Sequence, residues 1–388
     1  MTLVLVKDNK RSKAAFIHTG AWGDLYVSLA ALQVTCQRHV TNGVVLVGSA
    51  KWKDIIKKTD WPAVEEIWEC DNGRSANVYT WSAKQNDWQL SLEGVPLSVL
   101  FKKVIRSYNA RTESLRYAFA PLIARVPERF GSAPWPLSKL FFTHPSKWLG
   151  KDPIIHERDR ILQVVIPAQS ETQVGLPPLR QTSHKTLREL FGDLKQPYIL
   201  VNPTASRREK AWPSAKFREL VERISAEFAQ RGQKIQVHLV GAQSETQWLE
   251  ECLPKPQLPT SDSERDNSQT ANPETPTLLL QPRRILDAVE LIAGAELLVA
   301  NTSSLQFLAA GVKTPVVTLM GRGTPEIWGP LGEEDIVIRG EVSADADNDI
   351  FKQERLAYES IPVERVFKVV MGFFDQQETS STITQYAE

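Results

Sequence analysis

Three short segments hold residue types that could bind an anion or move a proton. The first, HTGAWGD (18–24), follows an apolar run and precedes a helical pattern. Glycines such as Gly20 and Gly23 let backbone approach a ligand closely, and a helix start favours negative charge. Asp24 could act there as a general base, or could simply sit in a first helical turn, where a carboxylate is favourable by about 0.3–1 kcal/mol. The second segment, NPTASRREKAWP (202–213), closes a strand pattern and leads into a helix that Pro213 can start. Hydroxyls at Thr204 and Ser206, with cations at Arg207, Arg208 and Lys210, offer the donors and positive charge that a diphosphate needs; the alternative is a solvated basic loop. The third, VANTSSLQFLAAG (299–311), puts Asn301, Thr302, Ser303 and Ser304 between a strand and a helix. One of them could merely cap that helix, worth about 1 kcal/mol, or the free N–H groups could form an anion site.

Other reactive types are sparse. His18 is the one histidine beside a candidate site, and His238 falls within a strand pattern, where a satisfied core histidine is expected. No His, Asp or Glu grouping has metal-ligand spacing, so no metal is expected. Eleven tryptophans read as packing residues, except that Trp22 lies inside the first turn and could line a groove. Cys36, Cys70 and Cys252 are too few and scattered for a disulfide framework and suit a reducing compartment.

Each segment needs a strand before it and a helix after it, and the surrounding pattern supplies them. In the first half, 14–18 reads as a strand, 24–39 as a helix, 44–47 as a strand, 51–60 as a helix and 64–70 as a strand. Residues 81–150 are aromatic and basic, with a helical pattern near 94–108. In the second half the same alternation runs through strands at 198–201, 235–240, 297–299 and 315–319, with helices at 212–230, 244–253, 285–293 and 304–311. Such alternation predicts a doubly wound α/β sheet in each half. Residues 168–189 read as the linker. Residues 254–282, rich in Pro, Ser, Thr and Asn, read as a mobile insertion.

The 388 residues carry 42% hydrophobic and 24% charged side chains, with 46 Lys and Arg against 46 Asp and Glu. A net charge of zero counts against a surface that binds nucleic acid, which needs excess positive charge. Residues 1–150 nevertheless hold 20 basic against 12 acidic side chains, an excess of +8, and residues 151–388 balance it with −8. No stretch approaches the roughly 18 apolar residues of a membrane span, and the N-terminus lacks the order of a secretory signal, so the expectation is a cytoplasmic protein.

In order and spacing, these segments resemble glycosyltransferase family nine, the ADP-heptose:lipopolysaccharide heptosyltransferases. The resemblance rests on GAWGDLYVSLAALQ in the first half, and on NPTASRREKAWPSAKFREL, HLVGAQSE, LDAVELIAGAELLVANTSS, FLAAGVKTPVVTLMG and TPEIWGPLG in the second. It implies a GT-B fold, two Rossmann-like domains facing across a cleft. The expected acceptor-binding domain spans 1–175 and the nucleotide-sugar domain 190–362. A helix at 363–377 would cross back to the first domain, and 378–388 would be a disordered tail.

The resemblance further implies an inverting, metal-independent transfer to a hydroxyl of lipopolysaccharide core or a related glycan. Asp24 matches the catalytic base, with Gly20, Trp22 and Gly23 on the acceptor side. Thr204, Ser206, Lys210, Glu245, Thr302, Ser303 and Ser304 match the donor side, Glu245 as the acidic residue on the ribose. Thr302 stands where the family has an Asp, Ser304 where it has a Gly and Phe307 where it has a His, so the sugar end of the site looks altered. The expected substrate is a nucleotide-diphosphate sugar with no separate cofactor. The expected partners are a glycolipid or glycan acceptor and peripheral contact with the inner membrane face, with no nucleic acid. Alternatives are a catalytically degenerate scaffold, another donor sugar, or a protein acceptor. The protein-modifying relatives carry cysteine-bound iron, which three scattered cysteines disfavour.

Overall fold

The computed structural model describes residues 11–20, 22–70, 72–111, 116–132, 140–146, 154–166, 177, 179, 184–192, 194, 197–255, 277–342 and 349–385. The chain divides into two compact units, Met1–Pro177 and Pro178–Glu388.

The first unit is built on eight strands: β1 (Lys13–His18), β2 (Val44–Gly48), β3 (Val64–Glu69), β4 (Ser75–Ser82), β5 (Asp87–Pro96), β6 (Val104–Arg111), β7 (Glu128–Ser132) and β8 (His144–Ser146). Their order is β5-β4-β3-β2-β1-β6-β7-β8. All neighbours pair in parallel except the β3-β4 and β4-β5 pairs, which form an antiparallel extension at one edge. The second unit holds β9 (Tyr198–Asn202), β10 (Gln236–Val240), β11 (Leu279–Leu280), β12 (Leu297–Asn301), β13 (Val316–Met320) and β14 (Ile336–Arg339), ordered β11-β10-β9-β12-β13-β14 and wholly parallel. With the edge hairpin set aside, both sheets read third-second-first-fourth-fifth-sixth in chain order. That is the Rossmann order, which reverses direction between its first and fourth strands and binds ligands beyond the carboxyl ends there.

Local sequence explains the main elements. Strand β9, YILVN, is buried at every position, as a parallel strand covered on both faces must be. Helix Ser214–Gln230 buries Phe217, Leu220, Val221, Ile224 and Phe228, one stripe at helical spacing. It packs with Ile199, Val201 and Trp212 into the core of the second unit, where each large side chain contributes roughly 1.5–3 kcal/mol. The first unit has a separate core around Ile17, Val45, Val47, Trp68, Phe101 and Val104.

Several expectations change in extent or type. The helix expected at 24–39 is two, Trp22–Val27 and Leu29–Arg38, broken where the Ser28 hydroxyl donates to the Leu25 carbonyl at 2.6 Å. The helical pattern near 94–108 is the end of β5, a single turn at Leu97–Leu100 and the start of β6. Leu97, Leu100, Phe101 and Val104 do mimic a helical stripe, but β6 fills the fourth place of the sheet beside β1, pairing Ser107 with Ala15 and Tyr108 with Phe16. The C-terminal helix expected at 363–377 is longer, running Val363–Gln385, and its Val366, Val370, Met371 and Phe374 bury into the core of the second unit, Phe374 edge-on to Phe228. Its backbone continues through most of the expected tail. Within 254–282, residues 256–276 lie outside the described residues, whereas Leu279–Leu280 is a strand. Within the stretch read as linker, His184–Phe191 forms a helix.

Candidate active site

In the second unit the reversal point lies between β9 and β12, and each strand ends on a buried asparagine. Asn202 donates through Nδ2 to the Thr204 hydroxyl at 3.1 Å and to the Val240 carbonyl at 2.8 Å, while its Oδ1 accepts from the Ser303 hydroxyl at 3.2 Å. Asn301 donates to the Pro203 carbonyl at 2.8 Å and accepts from the Trp212 N–H at 3.0 Å. The two amides therefore hold the whole 203–212 loop against the ends of three neighbouring strands. Neither was read as more than a strand end or cap, although the signal was there in an apolar run stopping at Asn before a proline or hydroxyl cluster.

Thr204 passes the network on to Glu245. Its hydroxyl donates to Glu245 Oε2 at 3.0 Å, and the Ala242 N–H donates to the same oxygen at 2.8 Å. Among the described residues Oε1 accepts no hydrogen bond, so one carboxylate oxygen is fixed and the other is open to a ligand hydroxyl. Ser303 caps the helix Ser304–Val312, its Oγ accepting from the Leu305 N–H at 3.3 Å while its proton goes to Asn202. Capping and a place in the network thus coexist in one hydroxyl.

Ser206 and Lys210 are exposed on the loop, Lys210 closing a short 3-10 turn over Arg208–Lys210. The neighbouring cations are engaged: Arg207 lies 5.0 Å over the Phe351 ring, and Arg208 lies 4.4 Å over Trp248 and is bidentate on Glu251. Among the described residues the Lys210 ammonium makes no ion pair or hydrogen bond, which leaves its charge for a ligand. Thr302 donates to the Leu319 carbonyl at 3.3 Å and bonds the buried Tyr358 hydroxyl, whose pKa burial pushes up to about 12. Ser304 starts the helix. Phe307 is only 4% exposed, so it packs inward and offers no face to a ligand.

In the first unit the turn after β1 carries the other candidates. Helix Trp22–Val27 holds Trp22, buried Gly23 and half-buried Asp24, and the Lys51 ammonium lies 5.5 Å from the Trp22 ring centroid. Gly20 is sterically required: a Cβ there would lie 2.8 Å from Asp24 Oδ2 and 2.8 Å from His18 Cε1. So Gly20, Trp22, Gly23 and Asp24 are together in one unit, and Thr204, Ser206, Lys210, Glu245, Thr302, Ser303 and Ser304 in the other.

The remaining titratable types are structural. His238 bonds Gln236 at 2.9 Å and accepts from the Leu278 N–H at 3.2 Å, and burial lowers its pKa to about 4. All three cysteines are buried and free, burial raising Cys36 to about 12 and Cys252 to about 11. Among the described residues no group of three or more His, Cys, Asp or Glu is placed to hold a metal ion, and no helix is long and apolar enough to cross a membrane.

Residues 167–357 match the family model of glycosyltransferase family 9 (heptosyltransferase). The chain carries a glycosyltransferase family 9 domain. The matched stretch contains the asparagine-held loop, Glu245 and the 302–304 cluster. The fold agrees along nearly the full length with solved structures. The ADP-heptose lipopolysaccharide heptosyltransferase II of E. coli is 19% identical with a TM-score of 0.67, covering 94% of this chain and 99% of that one. A family 9 glycosyl transferase of Veillonella parvula is 15% identical with a TM-score of 0.69, covering 95% and 98%. E. coli heptosyltransferase WaaC, solved with ADP-2-deoxy-2-fluoro heptose, is 15% identical with a TM-score of 0.56, covering 93% and 99%. The fold of the two Rossmann-like units thus matches that of GT-B heptosyltransferase structures. No curated protein matches this sequence.

Proposed function

We propose that this family 9 glycosyltransferase moves heptose from an ADP-linked donor to a hydroxyl of lipopolysaccharide core or a related surface glycan, with inversion and without a metal or separate cofactor. The observation that carries the reading is the prebuilt cradle at the ends of β9 and β12, where Asn202, Thr204, Ser303 and Glu245 are bonded to one another beside the exposed Ser206 and the uncommitted Lys210. A nucleoside diphosphate would meet cation and hydroxyl donors at its phosphates and the open Glu245 oxygen at its ribose.

Asp24 takes the proton from the acceptor hydroxyl as that oxygen attacks the anomeric carbon. The bond from that carbon to the diphosphate breaks, and Lys210, Ser206 and the helix N-terminus at Ser303 and Ser304 stabilise the charge that leaves. The WaaC structure was solved with an ADP-heptose analogue, which supports the same donor class here. The acceptor is a phosphorylated glycolipid met at the inner face of the membrane from the cytoplasm.

A second reading, another donor sugar on the same nucleotide, is favoured by one observation. Thr302 is neutral and tied to Leu319 and Tyr358, and Phe307 is buried, so neither offers charge to a sugar. A screen of nucleotide sugars, reading nucleoside diphosphate release with and without a lipid A–core acceptor, separates the two. Release from ADP-heptose that depends on acceptor supports heptose; release only from another donor supports the second reading; calorimetry showing no binding of any nucleoside diphosphate would overturn both.

A further inference from the structure

The turn that carries Asp24 is held by a group with no part in the chemistry above. His18, the last residue of β1, is completely buried, following an apolar run, Ala14 to Ile17, that is equally buried. An aliphatic side chain would fill such a strand end at no polar cost, whereas a buried imidazole is expensive unless its nitrogens are used. One of them is: the Gly20 N–H donates to His18 Nδ1 at 3.2 Å. The ring is further fixed edge-on to Trp52, with centroids 6.0 Å apart at 78°.

Two glycines are shaped around this residue. At Gly48, φ is +133° and a Cβ would lie 2.1 Å from the His18 carbonyl oxygen, so only glycine lets β2 close on β1 there. At Gly20 a Cβ would strike both the His18 ring and the Asp24 carboxylate. The imidazole and the carboxylate thus close on the same glycine, and the Nδ1 bond fixes the backbone of that glycine four residues before Asp24.

We propose that His18 is a positioning residue for Asp24: by accepting the Gly20 N–H it sets the path of the 18–24 turn and with it the carboxylate. The inference rests on the reading of Asp24 as the base. It predicts that what matters at position 18 is an acceptor at the Nδ1 place. Asn carries its Oδ1 there, while Gln carries its oxygen at the Nε2 place, out of reach of the Gly20 N–H.

The test compares His18→Asn, His18→Gln and Asp24→Ala in the full chain, with turnover read on the donor found by the screen above. Misplacement of a reacting group by the order of 1 Å can cost about 10²-fold. His18→Gln should therefore lower kcat about 10-fold to 100-fold with ADP affinity unchanged, and His18→Asn should stay within about threefold of the parent. In an Asp24→Ala background His18→Gln should add no further loss, since residues acting through one another are not additive. Independently of activity, hydrogen exchange over residues 16–25 should speed up in His18→Gln and not in His18→Asn. Equal rates and equal exchange in the two His18 variants would overturn the proposal, as would a full additional loss in the Asp24→Ala background. An Asp24→Ala enzyme of unchanged turnover would remove the base reading itself, whereas a slow Asp24→Ala beside a normal His18→Gln would remove only the role of His18.

Discussion

Two sheets of the same strand order present opposite kinds of edge at their reversal points. Beyond β9 and β12, buried amides, hydroxyls and a carboxylate are bonded to one another, so these polar groups are set without a ligand. Beyond β1, the turn is shaped by glycine packing and by the bond from the Gly20 N–H to His18 Nδ1, with Asp24 and Trp22 half-exposed on a helix of six residues. A diphosphate has fixed geometry and fixed charge and rewards a rigid cradle, while a base must only present one oxygen to an incoming hydroxyl. In the proposed function the same topology serves binding in one unit and proton transfer in the other.

The comparison breaks first at Asp24. Asp24→Ala should lower turnover about 10²-fold or more and leave ADP affinity intact, measured by steady-state kinetics and calorimetry. Lys210→Ala should weaken ADP binding about 10-fold, as loss of a charge-assisted bond does, and also slow turnover, because the same ammonium steadies the departing diphosphate. Weakened ADP binding in Asp24→Ala, or unchanged ADP binding in Lys210→Ala, would break the comparison.

A smaller effect sharpens the claim that the second edge is prebuilt. Asn301→Ala leaves the Pro203 carbonyl and the buried Trp212 N–H without their partner, at a cost of about 1–3 kcal/mol, visible as a lowered denaturation midpoint without ligand. Replacement of Ser206, exposed on the same loop, should leave that midpoint unchanged.

A further prediction concerns the first unit away from its turn. Glu66 on β3 binds Lys13 at 2.6 Å and Lys103 at 2.7 Å and accepts the Trp68 indole N–H at 2.7 Å. Burial alone would raise its carboxyl, but the two ammonium groups more than offset that and hold it below the ordinary carboxylate range. A lowered folded-state pKa means stability that is present above the unfolded value and is lost as pH falls through the folded one. The parent should therefore lose more thermal stability than Glu66→Gln between about pH 6 and about pH 3.

The smallest effect concerns the +8 of residues 1–150. Within the basic run at Lys102, Lys103 and Arg106, Lys103 is spent on Glu66 and Arg106 is paired with Glu128, so exposed Lys102 is the cation of the three that is available to an anionic acceptor or lipid surface. Lys102→Glu should reduce association with liposomes of anionic lipid in a salt-dependent way, and Lys103→Glu should instead act through stability.

Most of the parallel scaffold was legible because buried strands and amphipathic helices write their burial into local pattern: YILVN and the stripe from Phe217 to Phe228 need no partner to be recognised. The site segments were legible for a related reason, since turns between strand and helix gather glycine, hydroxyl and charge. Residues 94–108 were misread because a stripe of helical spacing there is cut by a strand whose place is fixed by pairing with β1. The C-terminal helix was legible as a helix, while the partner of its apolar face was not, because an apolar face shows that something covers it and not what. Sequence alone could also not tell that Thr302 is tied to the Leu319 carbonyl and that Phe307 is buried.

Residue types and their order along the chain determined the two α/β halves, the three polar segments and the family resemblance, because each is a property of neighbours in sequence. Tertiary structure alone decided that Asn202 and Asn301, ninety-nine positions apart, hold one loop, that Lys210 and not Arg207 or Arg208 keeps its charge uncommitted, and that His18 bonds the turn bearing Asp24. Hydrogen bonds and ion pairs are settled by distances of about 3 Å, and those distances exist only once parallel strands have brought remote residues side by side.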